Sequence, residues 1–280
     1  MSDTSPNRDQ AARWNSSSGE PWVEMQALLD QVLEPLERLV VETACPVEGG
    51  QVLDIGCGCG ATTLAMARRL GPDGHCMGLD ISRLLLAAAR ARAAAEGVTN
   101  VTFVEGDAQT IALDRGKYDA VVSRFGVMFF DDPVAAFANI RRGARSGATL
   151  TFVAWRSSAE NDFITMAART AAPLLPPEPP SDPGAPGQFA FADRSRVAAI
   201  LEASGWSAID IRPVDVTCQM NERDLMAFAT RLGPVGQALR QADASTADRV
   251  TAALRPAFAR FVADGLVRFT AACWLATARA

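Results

Sequence analysis

Apolar positions along this chain alternate between two rhythms. QVLDI is a short apolar run that enters a glycine cluster, and it reads as a buried strand. ATTLAMARRL follows with helical spacing, then CMGLDI as a strand. SRLLLAAARARAAAEG reads as a helix with Ser82 as its N-cap and Gly97 at its end. VTFVEGD and YDAVVSRFG read as strands, DPVAAFANIRRGA as a helix capped by Asp132 with Pro133 in its first turn, and TLTFVAW as another strand. Repeated strand–helix–strand units predict a parallel sheet with helices on both faces.

The flanks have other patterns. Residues 1–20 are polar and are expected to be mobile, whereas residues 22–45 have helical periodicity interrupted at Pro35. PLLPPEPPSDPGAPG, residues 173–187, predicts a connecting loop. DRSRVAAILEASGW reads as a helix, AIDIRPVDVTCQM as a strand, and VRFTAACWLATAR as a closing strand. Residues 222–264 are helical in pattern, with a break near Gly233 and Pro234. The N-terminal helices, the stretch near 157–192 and residues 222–264 lie outside the alternating core and are expected to form a cap.

Composition narrows the function classes. The 280 residues are 49% hydrophobic and 21% charged, which excludes a mostly disordered chain. Lys+Arg is 27 against Asp+Glu 32, a net charge of −5, so no basic field exists to capture nucleic acid. Six cysteines in a chain this long do not suggest a disulfide framework, and a single histidine excludes a His-rich metal site; no metal is expected. The polar N-terminus lacks an apolar signal-peptide core, and no run of ~18 apolar residues reads as a membrane span. The expectation is a soluble, reduced, cytoplasmic protein.

The glycine loop carries the chemistry. Val52-Leu53-Asp54-Ile55-Gly56-Cys57-Gly58-Cys59-Gly60 takes a strand into a turn from which a helix departs. Glycines permit positive φ and close approach of a ligand, and the helix start offers free N–H groups. Two cofactor classes fit. Gly56, Gly58 and Ala61 satisfy the looser dinucleotide pattern G-x-G-x-x-A. Asp54, at the strand end, would repel a pyrophosphate and attract a cationic aminoacyl group such as that of S-adenosylmethionine (SAM). Asp80 ends the next strand, where a carboxylate can accept both ribose hydroxyls of either cofactor. Asp107, after the third strand, can accept from an adenine amino group. An NAD(P)-dependent oxidoreductase is the rival reading, although a Tyr-x-x-x-Lys pair is missing: Lys117 directly precedes Tyr118, the only tyrosine. A non-catalytic SAM-binding protein is a second rival.

With these motifs in place the chain resembles the class I SAM-dependent methyltransferases, in particular the branch typified by ubiquinone and menaquinone biosynthesis. VLDIGCGCG, GLDIS, EGDAQ, YDAVVSRFGVMFFDDP and SGATLTFVAW match successive family motifs over roughly residues 50–156. The resemblance implies a Rossmann-like α/β fold with a mostly parallel seven-stranded sheet. Residues 1–48 would form an N-terminal helical cap and residues 49–280 the SAM-binding domain with its cap insertions. It implies that Asp54, Gly56, Cys57 and Gly58 hold the methionine part, Asp80 and Ile81 the ribose and adenine, and Asp107, Ala108 and Gln109 the adenine edge. Ser123 and Arg124 would line the methionine end and face a small-molecule methyl acceptor. Cys57 and Cys59 depart from many family members and read as small loop residues, not nucleophiles.

Aromatic residues mark the expected acceptor pocket. Trp14 and Trp22 could fold over the cofactor from the N-terminal segment, with an aromatic face near the sulfonium. Phe125 or Met128, after the fourth strand, would border the site, and Trp155 at the end of the fifth would line it. His75 lies in a turn at the opposite end of the sheet, so no histidine base is available and no catalytic residue is assigned.

Overall fold

The computed structural model describes residues 6–16, 18–177 and 184–280. Three helices come first: α1 (Arg8–Trp14), α2 (Glu20–Glu24) and α3 (Gln26–Ala44). The alternating core comes next as β1 (Gln51–Ile55), α4 (Ala61–Leu70), β2 (His75–Asp80), α5 (Arg83–Ala95), β3 (Val101–Glu105), β4 (Tyr118–Arg124), α6 (Pro133–Gly143) and β5 (Ala144–Trp155). Then come α7 (Asp162–Ala171), α8 (Arg194–Ala203), β6 (Ser207–Asn221), α9 (Glu222–Arg231), α10 (Gly233–Gln241), α11 (Ala244–Phe258), β7 (Val262–Ala263) and β8 (Leu266–Arg279).

These strands form one sheet in the order β3-β2-β1-β4-β5-β8-β6, with β7 paired to β8. Strands β3 through β5 are parallel, whereas β8 runs antiparallel to both β5 and β6. The sheet therefore has eight strands among the described residues, not seven; the extra one is the two-residue β7, folded back on the start of β8. Proline is tolerated in β6, at Pro213, because β6 is an edge strand.

The central parallel strands are buried on both faces, which explains their nearly continuous apolar runs. Val52, Ala120 and Val122 pack with Val40, Met66 and Leu70 of α3 and α4. Leu53, Val121 and Phe152 share a second cluster with Phe137 and Ile140 of α6 and Val197 and Leu201 of α8. Ser82 and Asp132 cap α5 and α6 as the sequence predicts, each accepting from a backbone N–H.

Pro35 does not interrupt its helix: α3 runs unbroken from Gln26 to Ala44. Leu29, Val32, Leu36, Val40 and Ala44 bury one face of it. The carbonyl that Pro35 leaves without a helical donor belongs to Gln31, an exposed residue on the solvent side. Burial of the stripe outweighs the lost hydrogen bond. The N-terminal segment also differs from expectation, since α1 and α2 are ordered against the loops of the sheet. Part of the proline-rich stretch, residues 178–183, lies outside the described residues; beyond it, the Gly187 N–H is tied to the Met128 carbonyl at 3.0 Å.

Candidate active site

The strand order reverses direction between β1 and β4, and in open α/β sheets a crevice forms there at the carboxyl ends of the strands. The glycine loop lines a cavity of about 510 Å³ at this point. Gly56 and Gly58 both take positive φ, 65° and 54°. A Cβ on Gly56 would stand 2.5 Å from the Gly126 Cα, so the loops after β1 and β4 meet backbone to backbone. A Cβ on Gly58 would meet no atom within 4 Å. It would project into open space beside the loop, a cradle that suits close approach of a ligand.

Three carboxylates line the cavity from successive parallel strands. Asp54 is 1% exposed and accepts a hydrogen bond from Thr63 Oγ1 of α4 at 2.6 Å. Burial pushes its carboxyl up to about 7, against the opposing pull of Thr63 and Arg124. Asp80 accepts from the Gly58 N–H at 2.8 Å and the Ser82 N–H at 2.9 Å, which fixes its plane and ties the glycine loop to the end of β2. Its pKa is also raised, by burial, with the backbone donors opposing. Asp107 is half-buried and accepts from the Gln109 N–H at 2.9 Å.

Asn7 holds a second position on Asp107 that no sequence pattern announced. Its Nδ2 donates to Asp107 Oδ1 at 2.8 Å and to Gln109 Oε1 at 3.2 Å. Its backbone N–H donates to Asp131 at 2.6 Å, and the Asp131 N–H donates back to Asn7 Oδ1 at 2.7 Å. The other end of α1 is fastened too. Asn15 Nδ2 donates to the Ile81 carbonyl at 3.0 Å, and Ser82 Oγ donates to the Trp14 carbonyl at 2.8 Å. Helix α1 thus bridges from the β3 loop to the β2 loop, across the expected adenosyl end. Trp14 and Trp22 both line the cavity and meet edge to face, with ring centroids 5.4 Å apart.

At the other side of the glycine loop, Arg124 stands 3.9 Å from Asp30 and 4.0 Å from Glu37. Its Nη1 is buried and has no hydrogen-bond partner among the described residues. Asp54 and Arg124 together therefore offer one carboxylate and one under-satisfied guanidinium, a donor set suited to the ammonium and carboxylate of an aminoacyl group. Phe125 comes next with φ 68°, a left-handed conformation that costs a non-glycine residue roughly 1 kcal/mol or more. That turn lays its ring on Trp155, with centroids 4.5 Å apart and planes within 3°.

Beyond this aromatic pair the cavity is walled by the cap. Phe163 and Ile164 of α7, Phe228 of α9, Val235 of α10, and Phe258 and Phe269 line it. Phe163 stacks on Phe269 with centroids 4.0 Å apart. Arg231, at the end of α9, pairs across the mouth with Glu24 of α2. None of these cap residues stands out in the sequence; their one signal is a recurrence of phenylalanine within the two insertions.

Most of the predicted site residues do line one cavity. Alongside those already placed, Cys57, Ile81, Ala108 and Met128 belong to its walls. Two do not. Ser123 is fully buried in the joint beneath it, donating to the Ile55 carbonyl at 2.7 Å and accepting from the Gly126 N–H at 3.1 Å. It shapes the turn and does not face a ligand, because alternation along β4 directs it into the sheet joint. Gln109 spends its side-chain oxygen on Asn7 and on the Asp132 N–H at 3.2 Å, outside the cavity wall. Burial raises the thiols of Cys57, well above its ordinary value, and Cys59, to about 12, so neither is a nucleophile. His75 begins β2, at the far end from the cavity, and contacts Thr102 Oγ1 at 2.9 Å. No cluster of metal-ligating side chains occurs among the described residues, and no described helix is long and apolar enough to cross a membrane.

Residues 52–147 match the family model described as a methyltransferase domain. Aklanonic acid methyltransferase of Streptomyces sp. (strain C5) is 36% identical over 104 residues, 37% of this chain and 47% of that protein. Demethylmenaquinone methyltransferase of Shouchella clausii is 34% identical over 99 residues, 35% of this chain and 42% of that protein. The chain thus spans less than half the length of these curated relatives. Among solved structures, phosphoethanolamine N-methyltransferase 2 of Haemonchus contortus, in complex with S-adenosyl-L-methionine, superposes with a TM-score of 0.60 at 16% identity. That likeness covers 99% of this chain and 60% of that one, and it concerns the fold.

Proposed function

We propose that this chain, whose residues 52–147 match the methyltransferase-domain family model, transfers the methyl group of SAM to a small-molecule acceptor. The observation that carries the reading is the set of three carboxylates at successive strand ends, facing one cavity with an open glycine cradle between them. Asp54 and Arg124 would hold the aminoacyl group. Asp80, already oriented by two backbone donors, keeps lone pairs for ribose hydroxyls. Asp107 would offer Oδ2 to an adenine amino group; among the described residues that oxygen accepts only a long hydrogen bond, from Thr110 Oγ1 at 3.4 Å.

When bound, SAM supplies a methyl group already activated on a sulfonium. The protein then has to align an acceptor with that carbon and exclude water. The stacked Phe125–Trp155 pair and the phenylalanines of the cap supply a dry wall on the acceptor side. Calorimetric titration separates this reading from its rivals. The expected result is saturable binding of S-adenosylhomocysteine and none of NAD; the reverse overturns it. Turnover of methyl-labelled SAM on a panel of small acids, phenols, thiols and amines separates an enzyme from a non-catalytic binder.

A further inference from the structure

The inner face of α1 carries a buried polar atom that the described residues leave without a partner. Asn7 stands at the N-cap, yet its side chain makes no capping bond and is spent on Asp107 and Gln109. Gln10 and Trp14 follow it at helical spacing, and all three line the cavity. Gln10 therefore lies between two fastenings of α1, that of Asn7 to Asp107 and that of the Trp14 carbonyl to Ser82 Oγ. Its Oε1 is buried and accepts no hydrogen bond among the described residues. A buried acceptor left unpaired is costly, and a ligand in the adjoining cavity is a source of the missing donor.

On the methyltransferase reading, on which this inference rests, the cavity beside α1 receives the nucleoside of SAM. The donors of that nucleoside can be set against the acceptors of the protein. The ribose offers its hydroxyls, and Asp80 keeps lone pairs for them after accepting from the Gly58 and Ser82 N–H groups. The adenine offers two N–H donors, both on its 6-amino group. Asp107 Oδ1 already accepts from Asn7 Nδ2 at 2.8 Å and from the Gln109 N–H at 2.9 Å, which leaves Oδ2 for one of them. The other needs a second acceptor. Gln10, one turn along α1 from the residue that holds Asp107, has a neutral oxygen in need of one donor.

We propose that Gln10 is a specificity-determining residue for the cofactor: its Oε1 accepts the second N–H of the adenine amino group while Asp107 Oδ2 accepts the first. The base is then read from two separate elements, the loop after β3 and helix α1. Asn7 acts as a positioning residue, because its bonds to Asp107 and Asp131 set where α1, and with it Gln10, stands. A purine without the amino group leaves both acceptors unpaired, so the two together select adenine.

The test compares two ligands by calorimetric titration: S-adenosylhomocysteine, and its 6-deamino analogue, whose purine carries hydrogen in place of the amino group. Each is titrated into the wild type, Gln10→Met and Gln10→Glu. Methionine keeps the length of the side chain and removes the acceptor, whereas glutamate keeps an acceptor. A wild type that does not bind S-adenosylhomocysteine overturns the cofactor reading itself; the other arms bear on Gln10 alone. The wild type is expected to prefer S-adenosylhomocysteine to the analogue by about a hundredfold. Gln10→Met is expected to narrow that preference by about tenfold, chiefly through weaker binding of S-adenosylhomocysteine, and Gln10→Glu to retain it. Both ligands meet the same folded fraction of a variant, so their ratio is insensitive to any loss of stability. A side chain that merely packs α1 in place would weaken both ligands alike. An unchanged ratio in Gln10→Met, or a ratio that narrows as much in Gln10→Glu, overturns the proposal.

Discussion

Replacing Asp54 by asparagine removes one charge from the cofactor cleft and leaves its shape nearly unchanged, since the amide oxygen can still accept from Thr63. Loss of a charge-assisted hydrogen bond to an ammonium group should weaken S-adenosylhomocysteine binding by ~1–3 kcal/mol, or roughly 5- to 150-fold. The pH dependence is more diagnostic. With Asp54 titrating at about 7 in the ligand-free protein, its ionised fraction is the binding-competent one. Affinity should then fall about eightfold between pH 7.5 and pH 6.0 in the wild type, and much less in the variant. Stability runs the opposite way. Between the ordinary carboxylate value of 3.8 and about 7, the folded protein keeps a proton that the unfolded chain releases. Stability of the ligand-free protein should therefore drop as pH rises through that window, by on the order of 4 kcal/mol, and level off above it. Asp54→Asn lacks this loss and is expected to be the more stable protein near pH 8 and the poorer binder. Calorimetry at several pH values and urea denaturation of both proteins give the two readouts. A wild-type affinity that does not change with pH, or a variant that binds as well as the wild type, refutes the placement of the aminoacyl group on Asp54.

Two other substitutions probe the cleft. Asn7→Ala removes the ties to Asp107, Gln109 and Asp131 and should cost about 1–2 kcal/mol, seen as faster tryptic cleavage after Arg13 under native conditions. An unchanged cleavage rate would mean that these bonds do not hold α1 down. Gly58→Ala puts a methyl group into the open cradle at positive φ, and should lower stability by about 1 kcal/mol while reducing S-adenosylhomocysteine affinity by a larger factor. A stability loss with unaltered affinity would show that the cradle faces no ligand.

The alternating core is legible in the sequence because its signals are local. Strand runs buried on both faces, helix caps such as Ser82 and Asp132, and glycines at a turn each declare themselves within a few residues. Asp54, Asp80 and Asp107 can be placed in one cleft because parallel topology brings successive strand ends to one edge. What escapes is long-range. Asn7 bonds to residues 100 and 124 positions away, and nothing in a short polar segment announces such partners. Ser123 and Gln109 match a ligand-facing pattern, yet their hydrogen bonds are spent inside the protein. Phe163, Phe228 and Phe258 converge only because α7, α9 and α11 pack together, a tertiary fact with no local signature. Pro35 misleads for the same reason: its cost is local, and the burial that outweighs it is not.

The ion pair of Glu24 with Arg231 joins α2, beside the glycine loop, to α9 of the cap. Both side chains are about half exposed, 53% and 49%, so the fastener is worth about 1 kcal/mol at most. Thermal motion can undo so slight a clasp without disturbing the sheet. On the proposed function, its release would loosen the cap from α2 while α1 stays fastened through Asn7, Asn15 and Ser82, so the acceptor chamber would open to bulk water with the nucleotide still covered. Methylated product would then leave ahead of the spent cofactor.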